Sequence, residues 1–212
     1  MGARHVPLSH AVVDELRSAI IGGAYAQGER LVEEEVAARF DVSRNPIREA
    51  LRALSTEGFV VIEPRRGARV ATMDGDRARE LFELRGPLEG LVAGLAAQRR
   101  SSAHLVRLRE IVAAGRRAVA EERLQDLPLL NTEFHEALAE AADNELLRTT
   151  LGRLSDIIRW LYAARISRRS TKSWDEHAAI VDAVADGDVP RAKRCGEQHI
   201  AAAATAYQRS PT

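Results

Sequence analysis

The chain has 212 residues, 45% hydrophobic and 29% charged, with 31 basic and 31 acidic side chains and a formal net charge of zero. That composition supplies one large core or two small ones and excludes a globally basic or acidic protein, so any nucleic-acid partner must be met by a local patch. No run approaches membrane-span length, "MGARHVPLSH" lacks a signal-peptide core, and the single Cys195 cannot form an internal disulfide, which predicts a soluble cytoplasmic protein with no membrane partner.

Residues 9 to 21 read as a helix with Ser9 as N-cap, an apolar face of Val12, Val13, Leu16, Ala19 and Ile20, and a stop at Gly22-Gly23. The turn-rich "GGAYAQGER" follows. A short helix, "VEEEVAARF", is then expected to bury Val36, Ala37 and Phe40. Asp41-Val42 joins it to the next helix, and an Asx residue enters the left-handed region there at low cost.

That next helix lies in "DVSRNPIREALRAL". At about 100° per residue, Arg44, Arg48 and Arg52 fall on one stripe, while Ile47, Ala50, Leu51 and Leu54 form a separate apolar face. Ser43 is expected to cap it through its hydroxyl, and Pro46 fits the first turn, where no helix N–H is lost. "FVVIEPRRGARV" reads as two strands around a Pro64–Gly67 turn. Six arginines stand against Glu49, Glu57 and Glu63 between residues 42 and 70. An arginine stripe is often only a solvated face. Here a second helix after a tight turn, followed by a basic hairpin, favours major-groove DNA binding with backbone contacts beside it.

From Asp76 to Tyr207 the pattern is helical almost throughout, so the domain boundary is placed at residue 73, giving units 1–73 and 74–212. Gly86-Pro87 is expected to bend the first long helix of the second unit. In "LNTEFHEAL", Asn131 and His135 share the face of Leu127, Leu130, Phe134 and Leu138, and so point inward. His177 lies with Ile180, Val181 and Val184. His199 lies with Ala192, Cys195 and Ala203. A single such imidazole would be an ordinary core histidine bonded to backbone. Three of them plus an amide, on three helices of one bundle, suit a shared divalent transition metal. Zinc is the first expectation, with nickel or manganese as alternatives. Cys195 is read as a small core residue in preference to a soft ligand.

Residues 9 to 70, through "GERLVEEEVAARFDVSRNPIREALRALSTEGFVVIEPRRGARV", resemble the winged helix-turn-helix of GntR-type bacterial transcription regulators. Asn45 stands where threonine is usual in that family, and Asp41 where glycine is usual. The resemblance implies a mainly α fold, with an N-terminal winged helix-turn-helix and a C-terminal all-α bundle. It also implies that Arg44, Arg48 and Asn45 touch DNA and that Ser43 contacts phosphate, with Arg52, Arg66 and Gly67 beside them.

Residues 76 to 208 resemble the FCD ligand-binding domain of the FadR subgroup, a bundle of six or seven helices. Many members hold a metal with an Asp-x-x-x-His pair and two later histidines; Asn131 replaces the aspartate here, and His135, His177 and His199 match. The resemblance also implies a small organic acid effector. Arg85, in "ELRGPLEGL", is the candidate to pair with its carboxylate through a bidentate fork, and Arg159 and Tyr162 are further lining candidates. An ordinary surface arginine is the other reading of Arg85.

These expectations combine into a homodimeric regulator, a repressor in most of the family, that binds pseudo-palindromic double-stranded operator DNA and is released by its effector. The rival is a metal-dependent hydrolytic enzyme using the three histidines. Against it, no general base is expected beside them: Glu133 lies on another face, and Glu136 and Glu176 sit at exposed-type positions. A dimerising helical scaffold without ligand is the third reading.

Overall fold

The structure is a computed structural model and describes residues 8–163 and 170–209, with side chains described over 11–161 and 172–209. The chain divides into two compact units, Met1–Met73 and Asp74–Thr212.

The first unit opens with α1 (Leu8–Ile21). The helix begins one residue before Ser9, which therefore lies inside the first turn and is not its cap. Leu16 and Ile20 on the inner face are fully buried. Helix α2 (Glu33–Phe40) buries Val36 and Ala37, while Phe40, expected inside, is only half-buried. It ends on Asp41 at φ 52° and ψ 47°, the left-handed turn that an Asx residue tolerates. The Val42 N–H then closes on the Ala37 carbonyl at 3.1 Å.

Helix α3 (Arg44–Glu57) follows and buries Ile47, Ala50, Leu51 and Leu54. Gly58 closes it at φ 90°, a backbone conformation in which a Cβ would be strained. Arg17 of α1 grips Glu57 of α3 through Nε at 2.8 Å and Nη2 at 2.9 Å, so that acid is committed to the helix–helix contact.

Strands β2 (Val60–Glu63) and β3 (Gly67–Val70) form the expected hairpin, with Val60 opposite Val70 and Glu63 opposite Gly67. A third strand, absent from the sequence reading, completes the sheet. β1 (Arg30–Leu31) pairs antiparallel with β3, giving the order β1-β3-β2. It ties the stretch before α2 to the wing. The hairpin tip is Pro64-Arg65-Arg66, with Arg65 at φ 66°.

The second unit is all-helical among the described residues: α4 (Gly75–Arg99), α5 (Ser102–Ala120), a 3-10 turn (Leu124–Asp126), α6 (Leu127–Ala141), α7 (Glu145–Ala163), α8 (Ser170–Asp186) and α9 (Val189–Gln208). Among the described residues, side chains cap four of these helices. Asp74 accepts from the Arg77 N–H, Ser101 from His104, Asn144 from Leu147 and Asp188 from Arg191. Helix α4 runs unbroken through Pro87. The core gathers Val92, Ala96, Leu108, Phe134, Leu138, Ile180 and Val184.

The approach of α4 to α9 decides where the polar core sits. An added Cβ at Gly196 would meet the Glu89 carbonyl oxygen at 2.9 Å and the Gly90 Cα at 3.2 Å. Only a residue without a side chain lets the two backbones come this close, which brings the inner faces of both helices together around one cluster.

Candidate functional site

On the first unit, Arg44, Arg48 and Arg52 are exposed along one side of α3, with Ser43 and Asn45 exposed at its start. The apolar side is sealed, since Ile47 and Leu54 have no exposed surface. Ser43 occupies the N-cap position with extended backbone, but its hydroxyl makes no capping hydrogen bond. The expected cap is therefore corrected, and the hydroxyl sits at the helix N-terminus, where a phosphate oxygen could meet it. Arg66 and Gly67 are exposed at the wing tip, where Arg66 stands 4.0 Å from Glu63.

The charge balance differs from the count over residues 42 to 70. Glu57 faces Arg17. Glu33, in the first turn of α2 and outside that count, reaches Arg48 Nη2 at 2.8 Å and Arg44 Nη2 at 3.3 Å. The arginine stripe thus carries one internal counter-charge. The Arg48 guanidinium correspondingly holds the Glu33 carboxyl below its usual range, against the effect of partial burial.

In the helical unit, three buried histidines meet. His135 of α6, His177 of α8 and His199 of α9 each offer a ring nitrogen within 4.8 Å of the other two. His177 Nε2 and His199 Nε2 are 3.2 Å apart. Phe134 fixes the His177 ring by stacking at 4.0 Å between centroids, with Trp174 edge-on at 4.8 Å.

Two carboxylates hold this cluster, and the sequence reading missed both. Glu176, expected at an exposed-type position, is partly buried and accepts from His199 Nδ1 at 2.9 Å. That bond puts the proton on Nδ1 and leaves the Nε2 lone pair facing the other rings. Glu89 of α4 is only 2% exposed, and its Oε1 lies 3.1 Å from His135 Nδ1, without hydrogen-bond alignment.

Arg85 is no surface arginine. It is 2% exposed and pairs with Glu89 Oε1 through Nε at 2.9 Å and Nη2 at 2.8 Å. Burial lowers the His135 imidazole to about 4, against the pull of Glu89, so the ring is neutral near pH 7 and available as a ligand. Burial alone would raise the Glu89 carboxyl, but the facing His135 and Arg85 hold it below its usual range. With His135 neutral, Arg85 supplies the balancing charge.

These residues fit a divalent metal. Two nitrogen ligands about 2.1 Å from one tetrahedral ion stand roughly 3.4 Å apart, close to the 3.2 Å between the two Nε2 atoms. Neutral imidazoles with carboxylates behind them are the ordinary surroundings of such a site. Asn131, one turn before His135, is half-buried. Arg159 is half-buried and pairs with Asp156 at 3.1 Å. The Tyr162 side chain lies outside the described residues. No described helix is long and apolar enough to cross a membrane.

Residues 8–70 match the model of bacterial regulatory proteins of the gntR family, and residues 80–202, more than half of the chain, match the FCD domain. The Nta operon transcriptional regulator of Aminobacter aminovorans is 33% identical over 163 residues, covering 76% of each chain. The HTH-type transcriptional repressor RspR of Escherichia coli strain K12 is 29% identical over 197 residues, 92% of this chain and 86% of the relative. Among solved structures, Escherichia coli McbR/YncC superposes with a TM-score of 0.78 at 20% identity, covering 96% of this chain and 99% of that one, a likeness of fold.

Proposed function

The chain belongs to the gntR family of bacterial regulatory proteins and carries an FCD domain; from that premise, we propose that this transcriptional regulator is a cytoplasmic homodimeric repressor released from double-stranded operator DNA by a small organic acid. As a member of this family it is a regulator and not an enzyme. The metal-dependent hydrolase reading is therefore set aside, although Glu89 and Glu176 do stand beside the histidines.

The observation that carries the DNA-reading part is the exposed line of Arg44, Arg48 and Arg52 over a sealed apolar face. A helix anchored that firmly can enter the major groove without losing its packing. Asn45 and Arg48 are then placed to meet base edges, and Ser43, Arg52, Arg66 and Gly67 to meet the backbone. In a symmetric dimer, two such faces call for two half-sites.

In the helical unit, His135, His177 and His199 would hold a divalent metal, zinc first, with the Asn131 amide oxygen as a fourth, neutral ligand. Bound there, it would supply a Lewis-acidic centre for an effector carboxylate. Glu176 orients His199, and Glu89 stands behind His135. The bonds to Glu89 use Nε and Nη2 of Arg85, so Nη1 is the donor left for the effector's second oxygen or a neighbouring group. Arg159 and Tyr162 complete the proposed lining. An effector shifts the regulator off DNA only by binding the DNA-incompetent arrangement more tightly.

Thermal melting of metal-loaded protein against a panel of small mono- and dicarboxylates, hydroxy acids and sugar acids tests this reading. A stabilising acid is expected that also weakens operator binding, and both effects should vanish in the His177→Ala variant. Stabilisation that persists in that variant would place the effector elsewhere.

A further inference from the structure

Glu33 presents a geometry that reaches beyond charge balance. It stands in the first turn of α2, where an acid complements the helix dipole, but Glu34 and Glu35 beside it serve the same purpose while remaining exposed. Glu33 instead reaches across the helix-turn-helix. Its Oε1 accepts from Arg48 Nε at 3.2 Å and its Oε2 from Arg48 Nη2 at 2.8 Å, with Arg44 Nη2 at 3.3 Å.

The Arg48 contact is side-on. It uses Nε and one proton of Nη2, and leaves the end-on edge, Nη1 with the outer proton of Nη2, for another partner. That edge is the fork that matches O6 and N7 of guanine in the major groove. A guanidinium gripped from the side has already given up most of its rotamer freedom, so presenting its end to a base costs little further entropy. The carboxylate also cancels part of the positive charge that would otherwise attract any phosphate. Direction is kept while indiscriminate attraction falls.

We infer that Glu33 is a specificity-determining positioning residue, which buttresses Arg48 side-on so that its end-on edge reads a guanine in each operator half-site. The inference rests on the DNA-reading function proposed above.

The test uses the full-length protein and E33Q, with thermal melting to establish that both are folded. Fluorescence anisotropy is measured on a duplex selected by the wild-type protein, on derivatives with each guanine replaced in turn, and on a scrambled duplex, at several salt concentrations. Removing the buttress is expected to lower discrimination at one guanine per half-site about tenfold, in line with the worth of a bidentate arginine–guanine contact. It should also tighten binding to the scrambled duplex and steepen the dependence of affinity on salt by about one ion per protomer.

R48K keeps the charge but lacks the fork, so adding E33Q to R48K should produce no further loss of discrimination. Unchanged discrimination at every guanine in E33Q, equal weakening on all duplexes, or a full further loss in the R48K background would each overturn the inference and leave the DNA-reading function standing. Failure of the folded wild-type protein to select any duplex would overturn both.

Discussion

His177 Nε2 and His199 Nε2 face each other at 3.2 Å between α8 and α9. Glu176 fixes the tautomer of His199 through Nδ1, so the Nε2 lone pair points at the neighbouring ring. A divalent ion placed among the three imidazoles would take those lone pairs. Chelator-stripped protein titrated with zinc by calorimetry should bind about one ion per chain. His177→Ala and His199→Ala should each abolish measurable binding. Glu176→Gln should retain it with affinity lowered about 10- to 100-fold, the usual effect of losing a partner behind a metal-bound histidine. Full affinity in Glu176→Gln would show that this carboxylate does not orient the ligand.

The Arg85–Glu89 pair makes a second prediction, read by urea unfolding. Both side chains are buried, so truncating one leaves the other as an uncompensated charge. Arg85→Ala should cost about 3–5 kcal/mol, whereas the double replacement Arg85→Met with Glu89→Leu should cost much less. A loss in the double variant as large as in Arg85→Ala would mean that the pair does more than balance its own charges.

Gly196→Ala tests the close approach of α4 and α9. The nearest atoms to the added methyl belong to the Glu89 and Gly90 backbone, which cannot swing aside as a side-chain tip could. Destabilisation of about 1–3 kcal/mol is expected, together with weaker metal binding, because moving α9 moves His199. Lost stability with unaltered metal affinity would uncouple the crossing from the site.

Arg52 offers a graded test of the DNA face. It is exposed and makes no ion pair among the described residues. Arg52→Ala should weaken all duplexes alike and reduce the salt slope by about one, as a phosphate contact does. A loss confined to particular base pairs would reassign Arg52 to base reading.

Local periodicity made α3 and the inward direction of His135, His177 and His199 legible in the sequence, because a helix fixes which residues share a face. The features missed are mostly contacts between segments. β1 is two residues long and pairs with a strand 37 positions away in Leu31↔Ala68 (a span of roughly that length carries no local signal). Glu33 lies 15 residues before Arg48 and outside the stretch over which charge was counted. Glu176 precedes His177 by one residue and so faces away from it on α8; it joins the cluster through His199 of α9.

Glu89 was within reach of the sequence. It stands four residues after Arg85, the spacing of an ion pair along one helix face. Read together with the apolar residues around them, the two could have been recognised as a buried pair. Ser43 shows the opposite limit, since the residue type fixed the N-cap position and the backbone there, but not the capping hydrogen bond.

The most direct test of the whole account is selection of sheared genomic DNA by the purified protein at near-physiological salt, run in parallel with an Arg44→Ala, Arg48→Ala double variant. One enriched pseudo-palindrome is expected with the wild-type protein and none with the variant, while circular dichroism shows the same helix content in both. Enrichment of the same sequence by the folded variant would contradict the assignment of α3 as the DNA-reading helix.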